Sequence, residues 1–222
     1  MPLPTSLGAV EVRFGGIATP LRDVIITDAS SDGFINAQVP FEVLPAGQSS
    51  ATVDVVVTVN GVASPPQPVH IVAAAPGVFT IPPDGQHNAV LVFTDPTDNV
   101  TKIAAPAASS NSIGFPTAPI PRGHVGFFYA TGLGALTPPV ADGDGGLEDP
   151  VVLHKANLTP IVLIGGKSAA VSFAGQAPGF PGVNQINVAV PDDAPTGDAV
   201  PLQIQTADGT VISTRGATVA IR

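Results

Sequence analysis

In Val53-Asp54-Val55-Val56-Val57-Thr58-Val59 the residues at 53, 55, 57 and 59 make one apolar face, while Asp54 and Thr58 point the other way. That two-residue period predicts a strand with one side on a core and one side partly wet. Further β-rich runs fall at 10–14, 35–39, 69–72, 89–94, 124–131, 161–164, 186–190, 200–206 and 217–221. Turn signals separate them. Asn60-Gly61 and Asp208-Gly209 suit the positive φ angles of two-residue hairpin turns. Pro40 and Pro191 each follow a run directly and act as stops, because proline cannot donate to a ladder.

The runs repeat in order. Val10-Glu11-Val12-Arg13-Phe14-Gly15-Gly16 is matched by Pro160-Ile161-Val162-Leu163-Ile164-Gly165-Gly166. Ile35-Asn36-Ala37-Gln38-Val39-Pro40 begins 20 residues after Gly15, and Ile186-Asn187-Val188-Ala189-Val190-Pro191 begins 21 after Gly165. A loop glycine (Gly47, Gly197), a β-rich run, a turn pair and a closing run follow in both. Residues 8–74 and 158–222 therefore read as two copies of one five-strand unit. Ala73-Ala74-Ala75-Pro76-Gly77 reads as a linker, and residues 78–157 as extra material. That material holds the runs at 89–94 and 124–131, the second with the aromatic-rich Val125-Gly126-Phe127-Phe128-Tyr129 expected in the core. Residues 104–121, rich in Ala, Ser and Pro, are expected as a loop over the surface. The fold expected is all-β: two tandem immunoglobulin-like β-sandwiches, a first unit over 1–74 and a second over 75–222 with a long insert at 95–121.

Five phrases carry a family likeness: Ala75-Pro76-Gly77-Val78-Phe79-Thr80, Tyr129-Ala130-Thr131-Gly132-Leu133-Gly134, Pro138-Pro139-Val140-Ala141-Asp142-Gly143, Ala177-Pro178-Gly179 and Asn184-Gln185-Ile186-Asn187-Val188. In this order, across nearly the whole chain, they resemble a C-terminal domain of large secreted acidobacterial proteins. The resemblance implies an extracellular or cell-surface location and a β-sandwich. It transfers no activity and no catalytic or ligand residue.

One difference between the copies bears on function. Upstream of the second copy stands 124–131 followed by Gly132-Leu133-Gly134; upstream of the first stands only Thr5-Ser6-Leu7-Gly8, which matches the tail of that phrase. The first unit is thus expected to lack one strand, leaving unpaired backbone groups and an apolar groove. A strand supplied by another chain would fill it, and a head-to-tail contact of that kind can propagate into a fibre. The expected partner is another copy, in a homo-oligomer or polymer. The expected interface is the N-terminal segment, Pro2, Leu3, Pro4, Leu7 and Gly8, whose prolines suit an extended arm.

Composition sharpens this picture. The chain of 222 residues has 24 glycines and 25 prolines, which leaves little room for long helices. Its 29 Val and 15 Ile outnumber 12 Leu, a bias toward side chains that pack on a pleated surface. Charged residues are 11% and the net charge is −9, which disfavours nucleic acid and anionic lipid surfaces. No apolar run approaches the roughly 18 residues of a membrane span, and residues 1–8 lack the character of a signal peptide. The absence of cysteine excludes disulfides and thiolate metal sites.

Candidate chemistry is sparse. No G-x-S-x-G, H-E-x-x-H, P-loop or full G-x-G-x-x-G occurs. His70, His87, His124 and His154 lack metal-ligand spacing, and no catalytic, cofactor or metal residue is expected. Asp142-Gly143-Asp144-Gly145-Gly146-Leu147-Glu148-Asp149 could wrap Ca²⁺ through hard oxygens, yet Gly146 stands where a third ligand is needed, so an acidic turn is the favoured reading. Asn99 and Asn157 head short glycosylation sequons. The rival function is a glycan-binding or adhesion module with surface glycans as partners; a chain with no Trp and one Tyr has few rings for sugars to stack on.

Overall fold

The computed structural model describes residues 2–26, 33–45, 47–147, 152–209 and 216–222. It is all-β, with 48% of residues in strands, large curled sheets consistent with a β-sandwich, and one short helix, Ser110–Ile113. The chain divides into two compact units. Unit 1 takes Met1–Ala73, Gly134–His154 and Gln176–Gly182; unit 2 takes Ala74–Leu133, Lys155–Gly175 and Val183–Arg222.

The first strands are β1 (Ser6–Leu7), β2 (Val10–Phe14), β3 (Ile17–Ala18), β4 (Leu21–Ile26), β5 (Gly33–Ala37), β6 (Ser50–Val59), β7 (Val62–Ala63) and β8 (Gln67–Val72). All belong to unit 1. In its sheet β6 is central, antiparallel to β2 with Val12 opposite Val57, and antiparallel to β8 with Val53 opposite Val69. The short β1 and β3 pair with β2, and β7 pairs with the end of β6. Asn60 and Gly61 take φ angles of 51° and 78°, so the β6–β7 turn has the geometry that the Asn-Gly pair encodes. β4 and β5 form a separate two-stranded ribbon. A 3-10 turn, Phe41–Val43, buries Val43 and follows directly on Pro40.

The remaining strands are β9 (Gly77–Val78), β10 (Thr80–Ile81), β11 (His87–Ala89), β12 (Leu91–Thr94), β13 (Thr101–Ile103), β14 (Val125–Thr131), β15 (Leu136–Thr137), β16 (Lys155–Ala156), β17 (Ile161–Ile164), β18 (Lys167–Gln176), β19 (Asn184–Ala189), β20 (Gly197–Gln205) and β21 (Ala217–Ile221). Apart from β15, which lies in unit 1, these build unit 2. One continuous hydrogen-bonded path runs β10-β11-β21-β20-β17-β18-β19-β14-β12-β13. The alternation along β17, β19, β20 and β21 sends Val162, Ile164, Ile186, Val188, Val200, Leu202, Ile204 and Val219 into one buried cluster with Leu91, Phe93 and Phe128. From β14 only alternate residues, Gly126, Phe128 and Ala130, are buried, while Val125 stays exposed. The aromatic run therefore gives one face, not its whole length, to the core.

Residues 104–121 match the expected surface loop only in part: 107–108, 111–112 and 114–116 are exposed, but the two ends are not. Ala104, Ala105 and Ile120 are fully buried. Ile120 N–H donates to the Ala220 carbonyl, Ala220 N–H to Ala104, and Ala104 N–H to Leu91, so the stretch is hydrogen-bonded to the sheet at both ends. Thr117 Oγ1 donates to the Pro106 carbonyl and pairs with Ser110 Oγ, which ties the middle across the short helix. Small Ala side chains and hydroxyls let an irregular backbone lie close to the core with its polar groups satisfied.

Candidate functional site

The inner face of the unit 1 sheet is built by β2, β6 and β8. Register sets Phe14 opposite Val55, Val12 opposite Val57, Val53 opposite Val69 and Ala51 opposite Ile71. Val10 and Val12 are buried, yet Val53, Val55, Val57, Val69 and Ile71 are only half-buried. In unit 2 the same arithmetic pairs Ile164 with Leu202, Val162 with Ile204 and Val200 with Val219, and every one of these is buried. Val39, before the Pro40 stop, is 42% exposed, whereas Val190, before Pro191, is 1% exposed. Phe34 on β5 is 50% exposed and its register partner Ile25 is exposed too, both on the face of the ribbon opposite to Ile35, and Phe41 beyond the strand is also exposed. The core cluster of buried residues draws wholly on unit 2.

The open face coincides with a free sheet edge. β19 pairs on one side with β18 and on the other with β14 along six residue pairs, from Val125 opposite Ala189 to Ala130 opposite Asn184. β5 pairs with β4 alone among the described residues. Its other edge pairs with no strand among the described residues, and an edge of that kind is a template for an added strand.

At the C-terminal end of β5 two carboxyls meet. Asp142 Oδ1 accepts from Phe41 N–H at 3.1 Å. Burial, together with the hydrogen bond and charge of Glu42, pushes the Asp142 carboxyl up to about 6, against the opposing pull of Phe41 N–H. Among the described residues neither Asp142 nor Glu42 joins an ion pair. Gln38 Oε1 beside them accepts from Gly143 N–H at 2.8 Å, and its buried Nε2 has no partner among the described residues.

The expected interface residues lie within unit 1. Leu7 on β1 stands opposite Val10, Leu3 N–H donates to the Gly143 carbonyl, and the Pro4 carbonyl accepts from Leu21 N–H. Pro2 is exposed, and Gly8 has φ 57° in the turn from β1 to β2. The segment is thus held by β2, by β4 and by the 141–146 loop, so these backbone groups are already engaged. In that loop Asp144 Oδ1 accepts from Gly146 N–H, and the Asp144 carbonyl accepts from Gln176 Nε2. Asp142 and Asp144 therefore make local and inter-segment hydrogen bonds, and Glu148 lies outside the described residues. No cluster of three or more metal-ligating side chains occurs among the described residues. Asn99 lies in a turn with φ 58°, its N–H bonded to the Asp95 carbonyl, and Asn157 follows β16.

Among the described residues His87, His124 and His154 contact backbone carbonyls, an aromatic ring or a carboxylate. His87 Nδ1 lies 2.8 Å from Asp84 Oδ2, and Thr80 Oγ1 is 3.4 Å from the other oxygen of the same carboxylate. The hydroxyl therefore sits on the aspartate and not on the imidazole, the wrong order for general-base activation. Thr80 donates to Pro82 O and accepts from Gly85 N–H, so the group braces the 80–87 loop. His124 Nε2 bonds the Thr94 carbonyl and its ring stands edge-on to Phe93; His154 Nδ1 bonds the Pro138 carbonyl; His70 lies exposed on β8. Sequence spacing gave no hint of the Asp142–Glu42 contact, because its partners are 100 residues apart; Asp142 stood out only as part of the acidic 142–149 turn, and Glu42 belongs to no motif.

Against models of protein families, curated proteins and solved structures, the chain finds no match.

Proposed function

We propose that this chain is a non-enzymatic structural module of the extracellular space or cell surface, which self-assembles into a fibre or surface layer by β-strand addition between subunits. The observation that carries this reading is the contrast between inner faces: positions sealed in unit 2 stand half-open in unit 1. Support for treating the units as duplicated immunoglobulin-like sandwiches comes from pairing. β2–β6, β6–β8, β2–β3 and β4–β5 have counterparts in β17–β20, β20–β21, β17–β18 and β18–β19, and in the first two of these hydrophobic partners stand in matching register. β19 also pairs with β14, a pairing that β5, the counterpart of β19, lacks among the described residues. The resemblance to a domain of large secreted acidobacterial proteins agrees with an extracellular setting.

Exposed apolar side chains along a free edge are costly in a solitary soluble domain, and edges are ordinarily guarded by charge or covered. β5 carries no charged residue. Size-exclusion chromatography with light scattering, followed by negative-stain microscopy, tests the reading. Concentration-dependent oligomers or filaments are expected; a monodisperse monomer at high concentration overturns it.

A further inference from the structure

We infer that the free edge of β5 is a receptor for one particular kind of strand: an extended apolar segment running antiparallel to β5, small where it faces Ala37, bulky where it faces Ile35, and headed by a basic residue. The inference rests on the strand-addition reading above and names the site and the chemistry of the donor. Unit 2 supplies the template. There Phe128 of β14 stands opposite Ile186 of β19, and Gly126 stands opposite Val188. Aligned through the Ile-Asn repeat and the proline stops, Ile186 corresponds to Ile35 and Val188 to Ala37. Phe128 is fully buried on the face formed by Val162, Ile204 and Val219, whose counterparts Val12, Val57 and Val69 include two that are half-buried. A bulky side chain opposite Ile35 would cover that face.

The basic head follows from charge. Arg122, three residues before β14, donates from Nε to the Ala194 carbonyl at 2.6 Å, just past Asp192 and Asp193. The counterparts of Asp192, Asp193 and Ala194 are Phe41, Glu42 and Val43. Glu42 is exposed and shares its site with Asp142, and no described cation pairs with either. Two carboxyls with no cation stand where the arginine of a strand docked in the β14 manner would arrive. β14 of a second copy is committed to its own unit 2, so the donor is a partner segment of this chemistry other than a docked β14; where self-assembly holds, it comes from a second copy in which that segment is not already paired.

A peptide with the sequence of residues 121–131, given two lysines at its C-terminus for solubility, is the probe. Titrated into the full chain and followed by hydrogen exchange, it is expected to slow exchange at residues 34–38 at least tenfold. The same peptide with Arg122→Glu is expected to bind at least tenfold more weakly, and a scrambled peptide not at all. No protection at 34–38 with millimolar peptide overturns the inference, as does equal binding by the scrambled peptide or by the Arg122→Glu peptide. The two readings fail separately. Protection at 34–38 in a chain that light scattering finds monomeric upholds the receptor edge and removes self-assembly; oligomers with 34–38 unprotected and no competition by the peptide do the reverse.

Discussion

Asp142 and Asp95 feel opposite surroundings, and the pH dependence of each follows from that. Burial beside Glu42 raises the folded-state value of Asp142 to about 6, above the roughly 3.9 of an unfolded aspartate. The folded state therefore favours the protonated form, and the stability it provides is complete below about pH 4 and is lost as pH rises through about 6. Asp142→Asn keeps an oxygen for Phe41 N–H and an N–H for Glu42. It is expected to raise stability at pH 7.5 by about 1 kcal/mol, after allowance for solvent screening, and to leave it unchanged at pH 4. Thermal melts at the two pH values check this. Asp95 is nearly inaccessible and accepts from Thr97 N–H, Thr97 Oγ1, Lys102 Nζ and Arg222. The Thr97 backbone N–H, with its hydroxyl, Lys102 and Arg222, holds this carboxyl well below the usual carboxylate range. Its contribution is present above the unfolded value near 4 and fades as pH falls further. Asp95→Asn is expected to lower the melting temperature clearly at pH 7 and by much less at pH 2.5. Equal losses at both would show that the charge contributes nothing.

Among the elements, β14 shows how closely a strand is fitted to its site. A Cβ added at Gly126 would stand 2.8 Å from Leu91 Cδ2 and 2.9 Å from the Val92 carbonyl oxygen. The side chain could turn aside but the backbone oxygen is fixed by the β12 ladder, so Gly126→Val is expected to cost about 2 to 3 kcal/mol in denaturant unfolding. The contrast between matched positions gives a second test. Val190→Ser places a hydroxyl in a sealed site and is expected to cost about 2 kcal/mol, while Val39→Ser on an exposed site is expected to cost less than about 0.5 kcal/mol. Similar losses at both positions would show that Val39 is covered in solution. Much at this scale was legible in the sequence. Period-two alternation placed β2, β6, β17 and β21, and the Asn60-Gly61 turn took its encoded form, because each depends on neighbours a few residues away. The burial of 104–105, 117–118 and 120 at the ends of that loop was not legible, since Ala and Ser read alike on a surface loop and in a tight approach to a core. The 80–87 brace was likewise hidden. Its Thr80, Asp84 and His87 match no motif, and only the loop backbone brings them together.

At the scale of the molecule the apolar content is shared unequally between units. Unit 2 closes its core with Phe128 from β14, while the inner face of unit 1 is incompletely covered. Burial contributes about 25 cal/mol per Å² of apolar surface, so the ladder of unit 1 has less holding it shut. Hydrogen exchange is expected to reach the β6 and β8 amides before those of β20 and β21, and peptide occupancy of the β5 edge is expected to narrow the gap. Exchange at equal rates would remove the difference in closure.

What the sequence by itself determined is the set of strands and their punctuation: β-branched alternation, proline stops and glycine turns act over a few residues and need no partner to be read. The matching phrases at 10–40 and 160–191 also raised the expectation that the two halves differ by one strand. Only the tertiary structure decided which faces are sealed, that the edge of β5 is free, and that Asp142 meets Glu42 there. Those facts depend on side chains and ladders brought together from segments far apart in sequence, 45 residues between Val12 and Val57 and 100 between Glu42 and Asp142, and a local pattern carries no record of contacts across such separations.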